Sequence, residues 1–291
     1  MRQGGVISGL LFSLYIDSLL QRITKHKYGC KLGIHMANII AYADDIVLLA
    51  SSASSLQIII NEAIAEANVL KLNFNKDKSK WIIFQTPGTK QNAVKDMDMN
   101  GGKIERVSVI RYLGYILRSD GSNVDDIQRA MRKFYIEFNN ILRKFSFADE
   151  YVKLYLFKSY CLQIYGADLW LDYKGSLGVL KQFAVGYHGA IKKLLGLSSH
   201  ESNHYACQEA RMLIFKHFVN KARLCTSMRL FSTPCSYFMK ILPFLRISSV
   251  IRSKIEEVFE REYDTEYVFE NDFDAVLARI IYVQNHEETM R

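Results

Sequence analysis

Residues 39–50 constrain this chain more than any other stretch. Two apolar runs, Ile39-Ile40-Ala41-Tyr42 and Ile46-Val47-Leu48-Leu49, flank Ala43 and the adjacent carboxylates Asp44 and Asp45. Runs this short and this rich in Ile and Val read as buried strands rather than helices. Tyr42 to Asp45 is then the turn of a β-hairpin, with two neighbouring charges between hydrophobic arms. Charge in such a place needs water, hydrogen bonds or a cation. A divalent metal suits it, since Mg²⁺ takes oxygen ligands and pairs with carboxylates beside phosphates. An ordinary polar turn, in which Asp is favoured, also accounts for the dipeptide taken alone.

The flanking chain narrows the choice. Arg2-Gln3-Gly4-Gly5-Val6-Ile7-Ser8-Gly9 precedes a helix-like run through Leu10, Leu11, Leu14, Leu19, Leu20 and Ile23, with Ser8 as its expected N-cap. Glycines ahead of a helix let a ligand approach the backbone and leave N–H groups free for phosphate. After the hairpin, the serines of 51–55 supply caps for an amphipathic helix. Leu56, Ile59, Ile60, Ala63, Ile64, Ala67 and Leu70 fall on one face of it, so the helix should pack on a sheet. Asn73 to Lys80 is a polar turn, and Trp81 to Phe84 reads as a strand. Residues 86–103 read as a loop or hairpin, and Ile104 to Leu117 as two short strands around Arg111-Tyr112-Leu113-Gly114-Tyr115.

Beyond the turn at 119–123 the pattern is helical. Ser122 and Asp125 resemble a capping box, Asp125 and Asp126 suit the positive end of the helix dipole, and Val124, Ile127, Met131, Phe134, Phe138, Ile141 and Phe145 form a buried stripe. Further helices are expected at about 150–171, 177–196, 205–231, 236–260 and 273–285. The charge is uneven along this plan. Residues 1–120 carry 15 Lys/Arg against 10 Asp/Glu, residues 121–240 carry 17 against 9, and residues 241–291 carry 6 against 11. The basic first 240 residues suit a polyanion such as nucleic acid. Five cysteines without paired spacing argue against a disulfide framework, so an intracellular, reducing setting is expected. The apolar region 154–171 is broken by Lys158 and Asp168 and reads as a core helix, not a membrane span. Met1 leads straight into the amphipathic pattern, with no signal peptide expected.

Four blocks, in order, resemble the second half of the reverse transcriptase palm of non-LTR (LINE-type) retrotransposons. Arg2-Gln3-Gly4-Gly5-Val6-Ile7-Ser8-Gly9-Leu10-Leu11-Phe12, continuing to Asp17, resembles the template- and nucleotide-contacting motif. Tyr42-Ala43-Asp44-Asp45 resembles the catalytic hairpin. Lys78-Ser79-Lys80 ahead of Trp81 resembles the next palm motif, and Tyr112-Leu113-Gly114 the primer grip. Ile164-Tyr165-Gly166-Ala167-Asp168-Leu169-Trp170 is similar to a segment these elements carry behind the palm, and residues 190–197 also resemble them. The implied fold is α+β: a partial palm over 1–118, a helical thumb-like or connection region over 119–235, and a helical segment of unassigned role over 236–291.

The resemblance implies RNA-directed DNA polymerase chemistry, in which two Mg²⁺ ions stabilise the attacking and leaving oxygens. It makes Asp44 the principal metal ligand and catalytic residue, with Asp45 supporting it. Arg2, Gln3, Gly4 and Gly5 would meet the template and nucleotide, Tyr42 the primer end, and Lys78 the triphosphate. Tyr112, Leu113 and Gly114 would grip the primer. The implied partners are an RNA template and a DNA primer, held by the later basic helices through phosphate contacts. The family places a further catalytic Asp on a strand ahead of the Arg-Gln-Gly-Gly block, whereas Met1 falls inside that block. The expectation is therefore an N-terminally truncated domain, without fingers or first palm motif, that does not catalyse alone. Gly9 stands where the family usually has Pro. The alternative is a non-catalytic nucleic-acid-binding relic. A zinc site at His200, His204 and Cys207 lacks a fourth ligand, and that scatter reads as structural.

Overall fold

A computed structural model of the chain describes residues 7–84, 95–170 and 177–232. They fall into two compact units that divide between Ile110 and Arg111. The fold is α+β, with small sheets and packed helices in the first unit and mainly helices in the second.

In the first unit, α1 (Ser8–Tyr15) buries none of its residues and starts at Ile7 without a side-chain cap, so Ser8 is the first helical residue and not the cap. Its continuation α2 (Asp17–Thr24) buries Leu19 and Ile23. Two antiparallel hairpins follow, β1 (Cys30–Leu32) with β2 (His35–Ala37), and β3 (Ile39–Tyr42) with β4 (Asp45–Leu48). Helix α3 (Ala53–Val69) is capped by Ser52, whose hydroxyl accepts from the Ser55 N–H at 3.1 Å. This serine run supplies the cap as the sequence predicts.

Helix α3 organises the unit because its consecutive residues Ile59 and Ile60 face different cores. Ile59, Ala63 and Ala67 pack with Leu19 and Ile23 of α2 and with the inner face of β3–β4. Ile60 packs with Trp81, Met97, Met99 and Ile104 on a three-stranded sheet. In that sheet β7 (Gly102–Arg106) lies between β5 (Lys80–Trp81), parallel to it, and β6 (Met97–Met99), antiparallel. The β6–β7 turn is Asn100-Gly101, both at positive φ, as a two-residue turn that follows strand twist requires. The strand expected over 81–84 is thus short, and pairs only through Lys80 and Trp81.

The arms of the β3–β4 hairpin are not the buried strands that their composition suggests. Ile40, Ala41 and Tyr42 are exposed, while Ile39, Ile46, Val47 and Leu48 are half-buried. The reason is the two-stranded sheet: one face packs on α2 and α3, and the other meets solvent.

In the second unit, β9 (Tyr115–Arg118) pairs with β8 (Val109–Tyr112), within which the division of the two units falls. Helix α4 (Val124–Lys144) buries Ile127, Ala130, Phe134, Phe138 and Ile141, close to the expected stripe. Its N-cap is Asn123 rather than Ser122. Helix α5 (Glu150–Leu156) runs into a π-helical turn at Phe157–Cys161, so the helix expected over about 150–171 ends early; a 3₁₀ turn follows at Ala167–Leu169, and α6 spans Leu177–Leu194. A single helix over 205–231 is not formed. The chain makes α7 (Asn203–Glu209) and α8 (Phe215–Ser232), broken where Arg211 takes φ +52°. Phe134, Phe157, Phe183, Tyr187 and Phe215 pack edge-to-face or tilted, with centroids 4.9–6.5 Å apart, and form one aromatic core. Cys207 is fully buried in it. Among the described residues no helix is long and apolar enough to cross a membrane. The helices expected at 236–260 and 273–285 lie outside the described residues.

Candidate functional site

The hairpin tip is a two-residue loop, Ala43-Asp44, closed by the cross-strand pair Tyr42 and Asp45. Ala43 sits at φ +52° and Asp44 does not, the sign pattern of a type II′ turn, whose first position ordinarily takes Gly. Holding an alanine there costs roughly 1 kcal/mol. The register puts Ile40, Tyr42, Asp45 and Val47 on the outer face, so the Tyr42 ring and the Asp45 carboxylate stand side by side. Asp44 and Asp45 are both exposed, and no described residue gives either carboxylate a hydrogen bond or ion pair. Two adjacent, unneutralised negative charges on a rigid turn are an attractor for cations.

Lys78 lies exposed in the polar turn before β5. Its backbone N–H is fixed by the Asn75 side chain at 3.1 Å, and its ammonium makes no ion pair with a described residue. Neighbouring Lys80 is tied to Glu105 across the sheet. The structure therefore brings Tyr42, Asp44, Asp45 and Lys78 into the first unit. Arg2, Gln3, Gly4 and Gly5 lie outside the described residues.

Tyr112, Leu113 and Gly114 form the β8–β9 turn. Leu113 at φ +46° and Gly114 at φ +82° make a two-residue turn of the I′ sign pattern, with a leucine where Asn or Gly is usual. That unusual backbone is held from outside the hairpin. The Tyr165 hydroxyl donates to the Leu113 carbonyl at 2.9 Å, and a Cβ on Gly114 would stand 3.5 Å from the Tyr165 ring. Tyr165 is fixed in turn, since the Arg129 guanidinium donates to its carbonyl at 3.0 Å.

Asp126 is the centre of this clamp. It is fully buried, pairs with Arg129 at 2.8 Å, and accepts from the Trp170 indole at 2.8 Å and the Ile116 N–H at 3.1 Å. Beside it the Tyr115 hydroxyl donates to Asn123 at 2.8 Å. Burial, and then the charges of Asp126 and Asp168, push the Tyr115 phenol well above its ordinary value, so it stays a neutral donor. Gly166, at φ +90°, passes so close that a Cβ would sit 3.0 Å from both the Asp126 carboxylate and the Tyr115 ring. Helix α8 holds the other end: Thr226 donates to Asp168 at 2.8 Å and Arg223 donates to the Trp170 carbonyl. Sequence reading places Asp126 among residues that favour the helix dipole and does not foresee its burial. The clue was the Ile164–Trp170 segment, which carries every partner of the clamp downstream of α4 except those on α8.

Among the described residues no group of three or more His, Cys, Asp or Glu is placed to hold a metal ion. Two carboxylates, Asp44 and Asp45, are fewer than a two-ion centre requires, and the described residues do not complete such a site.

An acidic pair at the tip of a hairpin, backed by an amphipathic helix and a small sheet, resembles the palm of a template-directed nucleic-acid polymerase. The comparisons agree with that class. Residues 1–117 match the family model described as reverse transcriptase (RNA-dependent DNA polymerase). Over 78 residues the chain is 33% identical to the retrovirus-related Pol polyprotein from type-2 retrotransposable element R2DM of Drosophila melanogaster, a stretch covering 27% of this chain. It spans 7% of the length of that polyprotein. Residues 1–117 are a reverse transcriptase domain fragment of the non-LTR retrotransposon kind.

Proposed function

We propose that this chain contributes the acidic hairpin of an RNA-directed DNA polymerase, with Asp44 as the principal Mg²⁺ ligand and Asp45 beside it. The observation that carries the reading is the exposed, unneutralised carboxylate pair on a constrained turn, inside the segment that matches the family. Tyr42, on the same face as Asp45, would meet a primer terminus. Lys78 is free to meet a triphosphate, Arg2 to Gly5 would approach the template and nucleotide, and the clamped Tyr112–Gly114 turn would hold the primer strand. Mg²⁺ would supply the charge that stabilises the attacking and leaving oxygens of nucleotidyl transfer. The partners are an RNA template and a DNA primer. Four free cysteines among the described residues suit the reducing interior of a cell.

Among the described residues no third carboxylate stands with Asp44 and Asp45, and a centre that lacks one is expected to extend no primer. Two measurements test this. Mn²⁺ relaxation enhancement of water protons should report weak binding that Asp44→Asn removes; binding unchanged in that variant removes Asp44 from the site. Primer extension on a primed RNA template with Mg²⁺ should give no product. Product that is lost in Asp44→Asn would show that the chain carries a complete centre. Salt-dependent binding of an RNA–DNA duplex without metal binding would favour a purely nucleic-acid-binding module.

A further inference from the structure

A second surface, in the helical unit, has the composition of a ligand site and plays no part in the clamp. Helix α5 and its π-helical continuation bury Leu154, Phe157 and Cys161 in the aromatic core. Their outward face carries Tyr151 and Tyr155, which are 82% and 71% exposed. Tyr151, Tyr155 and Lys158 follow one another at spacings of four and three residues, so they line one side of the helix. Two large aromatic rings held in solvent on a helix whose other side is locked into a core form a rigid platform.

The charge beside the rings is equally specific. Lys158 and Arg211 are both exposed, and among the described residues no carboxylate is in ion-pair range of either. They are close enough to repel one another: partial burial of the Lys158 ammonium, and then the Arg211 guanidinium, lower its affinity for a proton. The backbone turn at Arg211, with φ +52°, is fixed by its own N–H to the Gln208 carbonyl at 2.9 Å and by Met212 N–H to the Cys207 carbonyl at 2.8 Å. Two exposed cations without a counter-charge among the described residues attract a polyanion. Flat aromatic faces next to them are what the bases of an unpaired strand stack on, and pairing such faces with cations is the way non-sequence-specific proteins hold single strands.

We infer that the outer face of α5, Tyr151 and Tyr155 with Lys158 and Arg211, binds single-stranded nucleic acid, its bases stacked on the tyrosines and its phosphates drawn to the two cations. This rests on the nucleic-acid reading of the chain, but not on its catalysis. A paired duplex hides its base faces, so the platform should discriminate strand from duplex, which a merely basic surface would not.

The test is fluorescence anisotropy on the full chain, without metal, using a labelled oligo(dT) of about 12 nucleotides, within the site sizes such surfaces span, and, separately, a blunt RNA–DNA duplex. Tyr151→Ala and Tyr155→Ala should each weaken oligo(dT) binding by about fivefold or more, because a base then has no ring to stack on. Tyr151→Phe/Tyr155→Phe should restore it, because the ring face remains. Lys158→Ala/Arg211→Ala should flatten the plot of log affinity against log salt by roughly 0.7 for each phosphate that is no longer neutralised. Duplex binding should stay within about twofold in the tyrosine variants, since stacking plays no part in it. All four side chains are exposed, so these changes leave the core intact. Unchanged oligo(dT) affinity in the alanine variants overturns the proposal. So does an equal weakening for duplex and strand, or disappearance of self-association in sedimentation with strand binding intact, which would make the face a protein-binding one. Failure of the chain to bind duplex, with strand binding preserved, would count against the polymerase reading and not against the platform.

Discussion

Replacing Asp126 by Asn should unfold the helical unit selectively, and by an amount the clamp defines. The carboxylate has no solvent access and receives the Arg129 guanidinium, the Trp170 indole N–H and the Ile116 N–H, all between 2.8 and 3.1 Å. An amide keeps one acceptor oxygen but turns an NH₂ toward at least one of these donors and leaves the Arg129 charge unpaired. Losing one partner of a buried ion pair costs about 3–5 kcal/mol, and each orphaned buried donor about 1–3 kcal/mol. These are overlapping descriptions of one network and do not add, so about 3–5 kcal/mol is the expectation. With a urea slope near about 1.5–2 kcal/mol/M, the midpoint should fall by about 1.5–3 M. The chain contains two tryptophans, Trp81 in the first unit and Trp170 in the second. In a Trp81→Phe background, emission therefore reports the helical unit alone. The comparison is Asp120→Asn in the same unit, whose exposed pair with Arg118 at 3.1 Å is worth at most about 1 kcal/mol. If the midpoint of Asp126→Asn stays within about 0.3 M of its parent, or the Asp120 variant shifts as much, the buried clamp is not what holds the β8–β9 turn.

Two further outcomes follow from single side chains. Burial, with Lys192 second, holds the His188 imidazole down to about 4, below its ordinary 6.5, and its Nε2 accepts from the Phe215 N–H at 3.3 Å. The unfolded chain then takes up the proton first, so stability is complete above pH 6.5 and is lost as pH falls from 6.5 to about 4. Discounted for partial exposure, the loss is roughly 1–2 kcal/mol, and His188→Gln should reduce the difference between urea midpoints at about pH 7 and about pH 4.5; an identical difference in that variant would exclude the imidazole as the cause. In the first unit, buried Asn38 donates from one amide nitrogen to the carbonyls of Ile23, Thr24 and His26 and so closes the end of α2. Asn38→Ala should cost about 2–3 kcal/mol and raise amide exchange across Asp17–Thr24. A Cβ on Gly29 would stand 1.6 Å from the Asn38 side-chain oxygen, so Gly29→Ala should destabilise the parent and add much less in the Asn38→Ala background. Additive effects would mean that the two residues do not meet.

The acidic hairpin and the helix behind it were legible in the chain because their signals are local. A two-residue loop between apolar runs places Asp44 and Asp45 at a tip whatever else packs around it. A serine run ahead of a regular 3.6-residue period makes α3, and its wide apolar stripe tells that it is buried. The family-like order of the four blocks then identified the domain. What stayed hidden is non-local. Whether β3 and β4 are buried depends on how many strands flank them, and composition cannot count neighbours. Tyr112–Gly114 read as a strand-and-turn motif, yet its positive-φ leucine is held by Tyr165, 52 residues further on. Asp126 looked like one more acid suited to a helix N-terminus, and only packing decides that its carboxylate faces Trp170 rather than water. A buried charge is tolerated only when its partners arrive from other elements. Local spacing thus determined where the acidic hairpin lies and what it resembles, while tertiary packing decided which charge is structural and which is left free to act.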